Sequence, residues 1–400
     1  MVAIAAAVPL FSQAHCQEFE LVGSFNKTIT TAFAPSGQYG YLATYDSLDV
    51  INLSDPANPT LAGEWGASED IMVVKAEPPF AFLTDDYGLK IIDVRTPEDP
   101  VYAGGFYSSL MTYDVAISGN YAYIVNFYGL SIIDISDVSQ PTFISSLETP
   151  PSGRGVWVSG SYAYAAAYSA GLCVADISDP SAPNLLGICD TPGAAMKVCV
   201  RGQYAYVADN DGGLQIVNVS DPTSPYLAGG FDTPGYTLAV AVDSGYVYLV
   251  GLGLGLRAFD VTDAHNPLYV AGYDTAGSFI DVDVDNGYVY VTGGGRLDIL
   301  RFNPSSVDDD QLPFKLMTLS AYPNPFNTCT LFEYSLVEAG HVRLSVYNLL
   351  GQKSQTVLEG FKEAGNYSNL WYAGEFPSGI YFARLESGNY SRTTKLALLK

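Results

Sequence analysis

An aromatic side chain recurs at Tyr41, Phe82, Tyr123, Tyr164, Tyr206, Tyr248 and Tyr290, at intervals of 41, 41, 41, 42, 42 and 42 residues. A period this regular over seven units restricts the fold to an array of one supersecondary unit stacked or closed on itself. A second column is leucine throughout, at Leu48, Leu89, Leu130, Leu172, Leu214, Leu256 and Leu297. A third, of prolines at Pro59, Pro100, Pro141, Pro183, Pro225 and Pro267, closes an "SDPxxP" turn and occurs in six units only.

Each unit holds four short runs of strand character separated by turn residues, as in Met196–Val200, Tyr204–Ala208, Leu214–Val219 and Tyr226–Phe231. Four strands per 41 to 42 residues predict a propeller blade. The last unit ends at Leu300-Arg301-Phe302 without its fourth run, whereas the chain begins with one, since Glu20–Phe25 matches Tyr226–Phe231. The expected fold is therefore all-β, a seven-bladed β-propeller over 18–303 whose N-terminal strand completes the last blade. An open solenoid would expose both end sheets and need caps that the sequence does not offer.

The segment Tyr204–Gly235, "YAYVADNDGGLQIVNVSDPTSPYLAGGFDTPG", resembles the LVIVD repeat family. The resemblance implies a secreted or surface β-propeller, with no shared catalytic residue to carry over.

After Pro304 the repeat stops, and 304–317, with Asp308-Asp309-Asp310, reads as a solvated linker. Short alternating strands follow around Tyr322-Pro323-Asn324-Pro325-Phe326-Asn327, Val342–Tyr347, Asn348-Leu349-Leu350-Gly351-Gln352, Trp371 and Ser378–Phe382, up to the final Lys395–Lys400. In this order, the motifs of 318–400 resemble the type A C-terminal sorting domain of the type IX secretion system. The Ig-like domain of flagellar hook-cap proteins shares some of them. The sorting resemblance implies a small Ig-like β-sandwich that docks on the outer-membrane export machinery and is then cleaved or linked to surface lipopolysaccharide. The apolar run Val2–Phe11 is too short to span a bilayer and is followed by Ser12-Gln13-Ala14, so 1–14 reads as a signal peptide. An anchor on Cys16 is the rival reading. Export is expected, to the medium or the outer-membrane surface.

Export would permit a disulfide. A hairpin register pairing Ile177 with Leu185 also pairs Cys173 with Cys189; buried thiols acting as small apolar residues are the alternative.

The net charge of −24 argues against nucleic acid, which needs clustered cations. Residues 1–315 hold 36 acidic and 11 basic side chains, whereas 316–400 hold six and seven. Three histidines, His15, His265 and His341, lie too far apart in the pattern to form a Ser-His-Asp or Cys-His arrangement, so no enzyme is expected. Two groups stand out instead. The first blade strands, which line a propeller's axis, place Lys75, Asp114, Lys197, Asp281 and Asp283, with Arg154 beside them, in a polar channel cluster. Mutually satisfied ions are the plain alternative there. The turns between second and third strands carry Tyr45-Asp46, Asp85-Asp86-Tyr87, Phe127-Tyr128, Tyr168 and Asp209-Asn210-Asp211. Rings among carboxylates suit sugar stacking with hydroxyl hydrogen bonds, although tight-turn geometry alone also selects such residues. No cofactor is expected; Asp209 and Asp211 resemble part of a calcium loop but lack the spacing and distal Glu of an EF-hand. The sequence thus suggests a glycan- or protein-binding propeller. A carboxylate- or metal-dependent polysaccharide hydrolase or lyase at the channel mouth, and a structural surface-layer or matrix spacer, are the competing classes.

Overall fold

The computed structural model describes residues 19–303, apart from 109, 151–152 and 276, and residues 318–400, apart from 323, 325, 337–338, 350–351 and 388–389. The signal peptide expected over 1–14, Cys16 and the linker expected over 304–317 lie outside the described residues. The chain divides into two compact units, Met1–Ser306 and Val307–Lys400. Among the described residues no helix is long and apolar enough to cross a membrane.

In the first unit the described residues form seven four-stranded antiparallel sheets. Six are consecutive meanders: β2–β5 (32–66), β6–β9 (73–107), β10–β13 (112–148), β14–β17 (155–189), β18–β21 (197–231) and β22–β25 (236–273). The seventh joins β1 (Phe19–Asn26) to β26–β28 (281–302) in the order β1-β28-β27-β26. The inner strands β2, β6, β10, β14, β18, β22 and β26 each neighbour the next, and β26 returns to β2, so the sheets form a closed ring of blades.

The repeated columns build the packing between blades. Tyr41, Leu48 and Val50 of blade one meet Val74, Leu83 and Ile92 of blade two in one buried cluster, and Phe33 and Ile51 meet Tyr290 and Ile299 of blade seven in another. Each fully buried side chain of this size contributes about 1.5–3 kcal/mol. Closure abolishes two exposed end sheets that would each leave such a layer in water.

The "LAGG" and "SDPxxP" motifs explain each other. Every fourth strand is bulged opposite the third, at Ala62, Ala103, Ile144, Leu186, Ala228, Val270 and, in β1, Val22. In five blades the following residue is glycine (Gly23, Gly63, Gly104, Gly187 and Gly229), which lets the turn of the next blade approach: a Cβ at Gly63 or Gly104 would overlap the carbonyl oxygen of Pro97 or Val138. Where blade three has Ser145 instead, its Oγ donates to the Pro180 carbonyl at 2.6 Å. The same turns account for much of the acidity. Nine aspartates, such as Asp134, Asp137, Asp176 and Asp179, accept a hydrogen bond from a backbone N–H two residues on, the geometry of an Asx turn.

The bulge also corrects the cysteine register. β16 (Leu172–Asp176) pairs with β17 (Asn184–Cys189) so that Ala175 faces Leu185, Cys173 faces Ile188 and Leu172 faces Cys189. The outer turn is two residues wider than the expected register, since Leu185 faces Ala175 and not Ile177, and the extra residue at Leu186 then shifts the ladder by one. Cys173 and Cys189 therefore point to opposite faces of blade four, pack in different cores and are both free thiols. Burial pushes their pKa values up, to about 12 and about 11.

The second unit folds strands β29–β35 (318–398) into two sheets, β29-β30-β33 and β32-β31-β34-β35. Between them Phe332, Tyr334 and Trp371 of one sheet pack against Val342, Leu344, Ala383 and Leu396 of the other, which makes a sandwich. The "PNPFN" segment is a clasp: Phe326 sits 5.6 Å from the Trp371 ring, and Asn324 donates to the Lys395 carbonyl and accepts from the Ala397 N–H.

Candidate binding face and central channel

The turns between second and third strands lie on the same face as the connections from blade to blade, because their backbones pair. Ile71 N donates to Tyr45 O, Thr149 N to Tyr128 O, Tyr168 and Ala195 exchange two bonds, and Thr237 N donates to Asn210 O. This face presents Tyr45, Tyr87, Tyr128 and Tyr168, all exposed, together with Tyr107 and Phe127. Tyr87 stacks on Tyr107 with centroids 6.0 Å apart, and Phe127 meets Tyr128 edge-on at 5.4 Å. Asp46 and Asp211 stand exposed among them, and Asp86 is half-buried.

Asp209 has a different place. It is fully buried, accepts from Thr191 Oγ1 at 2.6 Å and from Gly193 N at 2.7 Å, and so fastens the turn to the connection that enters its own blade. Burial pushes its pKa up to about 6, outweighing these hydrogen bonds. Its counterpart two blades earlier, Asn126, instead accepts from Tyr128 N within its own turn. Among the described residues no group of three or more His, Cys, Asp or Glu side chains is placed to hold a metal ion.

In the channel, Asp114 is buried, receives the Val156 N–H at 3.0 Å and pairs with Lys197 at 2.9 Å. The pair skips a blade. Gly155 lies between, and a Cβ there would come within 2.9 Å of Lys197 Cα and 2.8 Å of the Met196 carbonyl oxygen, so glycine clears the path. Asp281 accepts from Phe33 N at 3.0 Å, and Asp283 from Val284 N at 2.8 Å. Lys75, Asp281 and Asp283 are half-buried. Burial lowers the Lys75 pKa, yet the carboxylates of Asp283, Asp114 and Asp281 together carry it above its ordinary value. Burial pushes Asp283 up to about 6 and raises Asp281 as well, against Lys75 and Lys197. The carboxylates do gather around Lys75, but Asp114 and Asp281 each accept a backbone N–H of the next inner strand and so staple neighbouring blades, while Asp283 accepts one from within its own strand.

Arg154, expected beside these ions, is instead held by aromatic rings. Its guanidinium lies 4.4 Å from the centroid of Tyr113 and 5.5 Å from that of Tyr168. The clamp is invisible in the spacing because Tyr113 belongs to the preceding blade.

A further polar column escaped the sequence reading. The residue after the leucine column is Asp49, Lys90, Ser131, Cys173, Gln215, Arg257 or Asp298. Asp49 and Asp298 are fully buried. Asp49 pairs with Lys27, and Asp298 with Arg296 and the Ser24 hydroxyl, at 2.8, 3.0 and 2.7 Å. The signal was a polar column inside an otherwise apolar strand.

The titrations set a pH dependence. Asp209 and Asp283 have folded pKa values above their ordinary 3.8, so the native state binds more protons than the unfolded chain between about 4 and 6. Stability falls as pH rises through that window, by on the order of 2 kcal/mol for each group. The Asx-turn aspartates Asp134, Asp137, Asp176, Asp179, Asp221 and Asp263 are held below 3.8 by Ser, Thr or Asn side chains and backbone N–H groups. Their contribution is present above the ordinary value and lost below it. Thermal melting should therefore peak between pH 4 and 5.5, and Asp209→Asn should flatten the decline toward pH 7. A melting temperature that climbs steadily from pH 5 to 7 would contradict this.

Comparison with known proteins agrees with the architecture. The LVIVD repeat model matches residues 32–65, 111–149, 152–191 and 192–233, and the secretion system C-terminal sorting domain model matches 320–398. No curated protein matches the chain. Among solved structures, the β-propeller domain of Myceliophteria thermophila Cps50 (Swd1) is 11% identical with a TM-score of 0.59, covering 71% of this chain and all of that one. BamB from Moraxella catarrhalis is 13% identical with a TM-score of 0.52, covering 72% of this chain and 99% of that one. The computationally designed Ika8 protein is 11% identical with a TM-score of 0.54, covering 70% and 99%. At these identities the likeness concerns the fold alone. The chain is thus a β-propeller carrying LVIVD repeats, and it ends in a type IX secretion system C-terminal sorting domain.

Proposed function

We propose that this exported propeller is a binding module of the cell surface or surrounding medium, and that its aromatic face takes a glycan. The sorting domain implies export and engagement with the type IX machinery. The reading of the ligand is carried by the row of exposed rings on one face, Tyr45, Tyr87, Tyr107, Phe127, Tyr128 and Tyr168. Aromatic area left in water on successive blades suits stacking against the apolar faces of sugar rings, and Asp46, Asp86 and Asp211 offer acceptors to hydroxyls. Affinity then comes from several shallow contacts along a chain of sugars. The protein binds without turnover in this reading, since the channel carboxylates serve the inner strands.

Titration calorimetry against a polysaccharide panel tests it. Tyr87→Ala with Tyr128→Ala should weaken binding about 10- to 100-fold, at ~0.5–1.5 kcal/mol for each stacked ring, with melting unchanged because both rings are exposed. Unchanged affinity would move the ligand off this face. Release of cleaved product would favour the hydrolase or lyase, and silence across the panel the spacer.

A further inference from the structure

We propose that Arg154 is the anion-recognising residue of this face, and that the glycan it selects carries isolated carboxylates, a uronic acid set among neutral sugars. This rests on the glycan reading and narrows its ligand class.

The first argument is ionic. Residues 19–303 contain ten basic side chains, and eight of them form ion pairs: Lys27, Lys90, Arg95, Lys197, Arg201, Arg257, Arg296 and Arg301. Lys75 stands in the field of three carboxylates. Among the described residues, Arg154 is left with no ion pair and no side-chain hydrogen bond within the protein. That is the reverse of what abundant acidic neighbours would produce, since 36 acidic residues accompany 11 basic ones in 1–315.

The second argument is geometric. The Arg154 backbone N–H is tied to Ala166 O at 2.8 Å, and its guanidinium lies against the rings of both Tyr113 and Tyr168. Its Nε is buried without an acceptor, whereas the terminal nitrogens are not buried and remain free to donate. A guanidinium immobilised on rings has already lost the rotamer freedom that binding would otherwise remove. Its planar fork matches a carboxylate bidentately.

The third is conformational. Tyr168 has a φ of +50°, the left-handed region that a bulky residue occupies at a cost, and the equivalent position of the next blade is Asn210 at +49°. Asparagine tolerates that backbone. A tyrosine that is 39% exposed gains little core packing in return, so the strain serves the clamp and a stacking surface beside it.

Net charge then limits the ligand. A dense polyanion approaching a chain of charge −24 is repelled over a Debye length of about 8 Å. One carboxylate set directly on Arg154 gains a charged hydrogen-bond pair without bringing further negative charge.

The test is an array of neutral oligosaccharides, oligosaccharides bearing a single uronate, the same compounds after carboxyl reduction, and polygalacturonate. Wild type, Arg154→Gln, Arg154→Lys and Tyr168→Asn are compared by calorimetry, with melting curves to establish that each is folded. Wild type should bind the uronate form about 10-fold or more tighter than the reduced form. Arg154→Gln should erase that difference by weakening the uronate form far more than the reduced form, Arg154→Lys should restore only part of it, and polygalacturonate should bind worst at low salt. Equal binding of native and reduced forms by wild type, or a preference that survives Arg154→Gln, overturns the proposal and leaves the glycan reading standing. No binding to any compound defeats both.

Discussion

Removing the chain up to Lys27 is expected to abolish the cooperative melting of the propeller. β1 supplies the fourth strand of the seventh blade, pairing with β28 (Arg296–Phe302) from Phe19↔Phe302 to Asn26↔Arg296. Phe19 is buried, 5.1 Å from the Phe302 ring and 6.2 Å from Tyr248. Ser24 donates to the buried Asp298, and Lys27 reaches from the end of this strand to Asp49 and Glu64 of blade one, at 2.8 Å each. The truncation thus opens an aromatic cluster, worth ~3–5 kcal/mol on the scale of a Phe→Ala change. It also strands a buried carboxylate, at ~3–5 kcal/mol. Together these approach the whole stability of an ordinary domain, ~5–15 kcal/mol. Circular dichroism should show a broad, early transition for the truncated chain, and Phe19→Ala alone should lower stability by ~3–5 kcal/mol. A synthetic peptide of residues 19–27 added in trans should restore the transition by completing the open sheet. An undiminished melting temperature in the truncated protein would show that the ring holds without its closing strand.

The repeat makes this closure legible in the sequence, because each blade resolves the same local problem with the same residues. Tyr41 and its six counterparts, the leucine column and the "LAGG" run are periodic since the environment they pack into is periodic. Register inside the blade was not legible. The bulge at Leu186 is set by how closely the turn around Pro222 approaches Gly187 from the next blade, and that contact crosses about 35 residues of sequence. The candidate sites divide in the same way. The Tyr-rich turns and the channel ions could be located as columns, because column position follows from the period. Which side chain meets which could not. Arg154 turned to two rings in place of the channel carboxylates, and Asp209, grouped with exposed acceptors, is buried against Thr191 and Gly193. Polar partners are chosen by side-chain reach between blades, and a period of about 41 residues says nothing about reach.

Reach is also what makes Lys197 the most consequential charge in the channel. Its ammonium crosses over Gly155 to Asp114, a carboxylate whose side chain is 3% exposed and whose other oxygen holds Val156 N. Lys197→Met keeps the aliphatic stem over Gly155 but leaves that buried negative charge with one backbone donor. Stability should drop by ~3–5 kcal/mol, the cost of breaking a buried pair from one side. Asp114→Asn in the same chain should recover most of the loss, because the amide oxygen still accepts from Val156 while no charge remains to be compensated. The double-mutant cycle in denaturant then separates pair from site: a coupling of ~2 kcal/mol or more is expected, against near-additivity for groups that do not touch. Additive losses would mean that Lys75, not Lys197, neutralises Asp114, and that three blades are tied at the channel by one lysine.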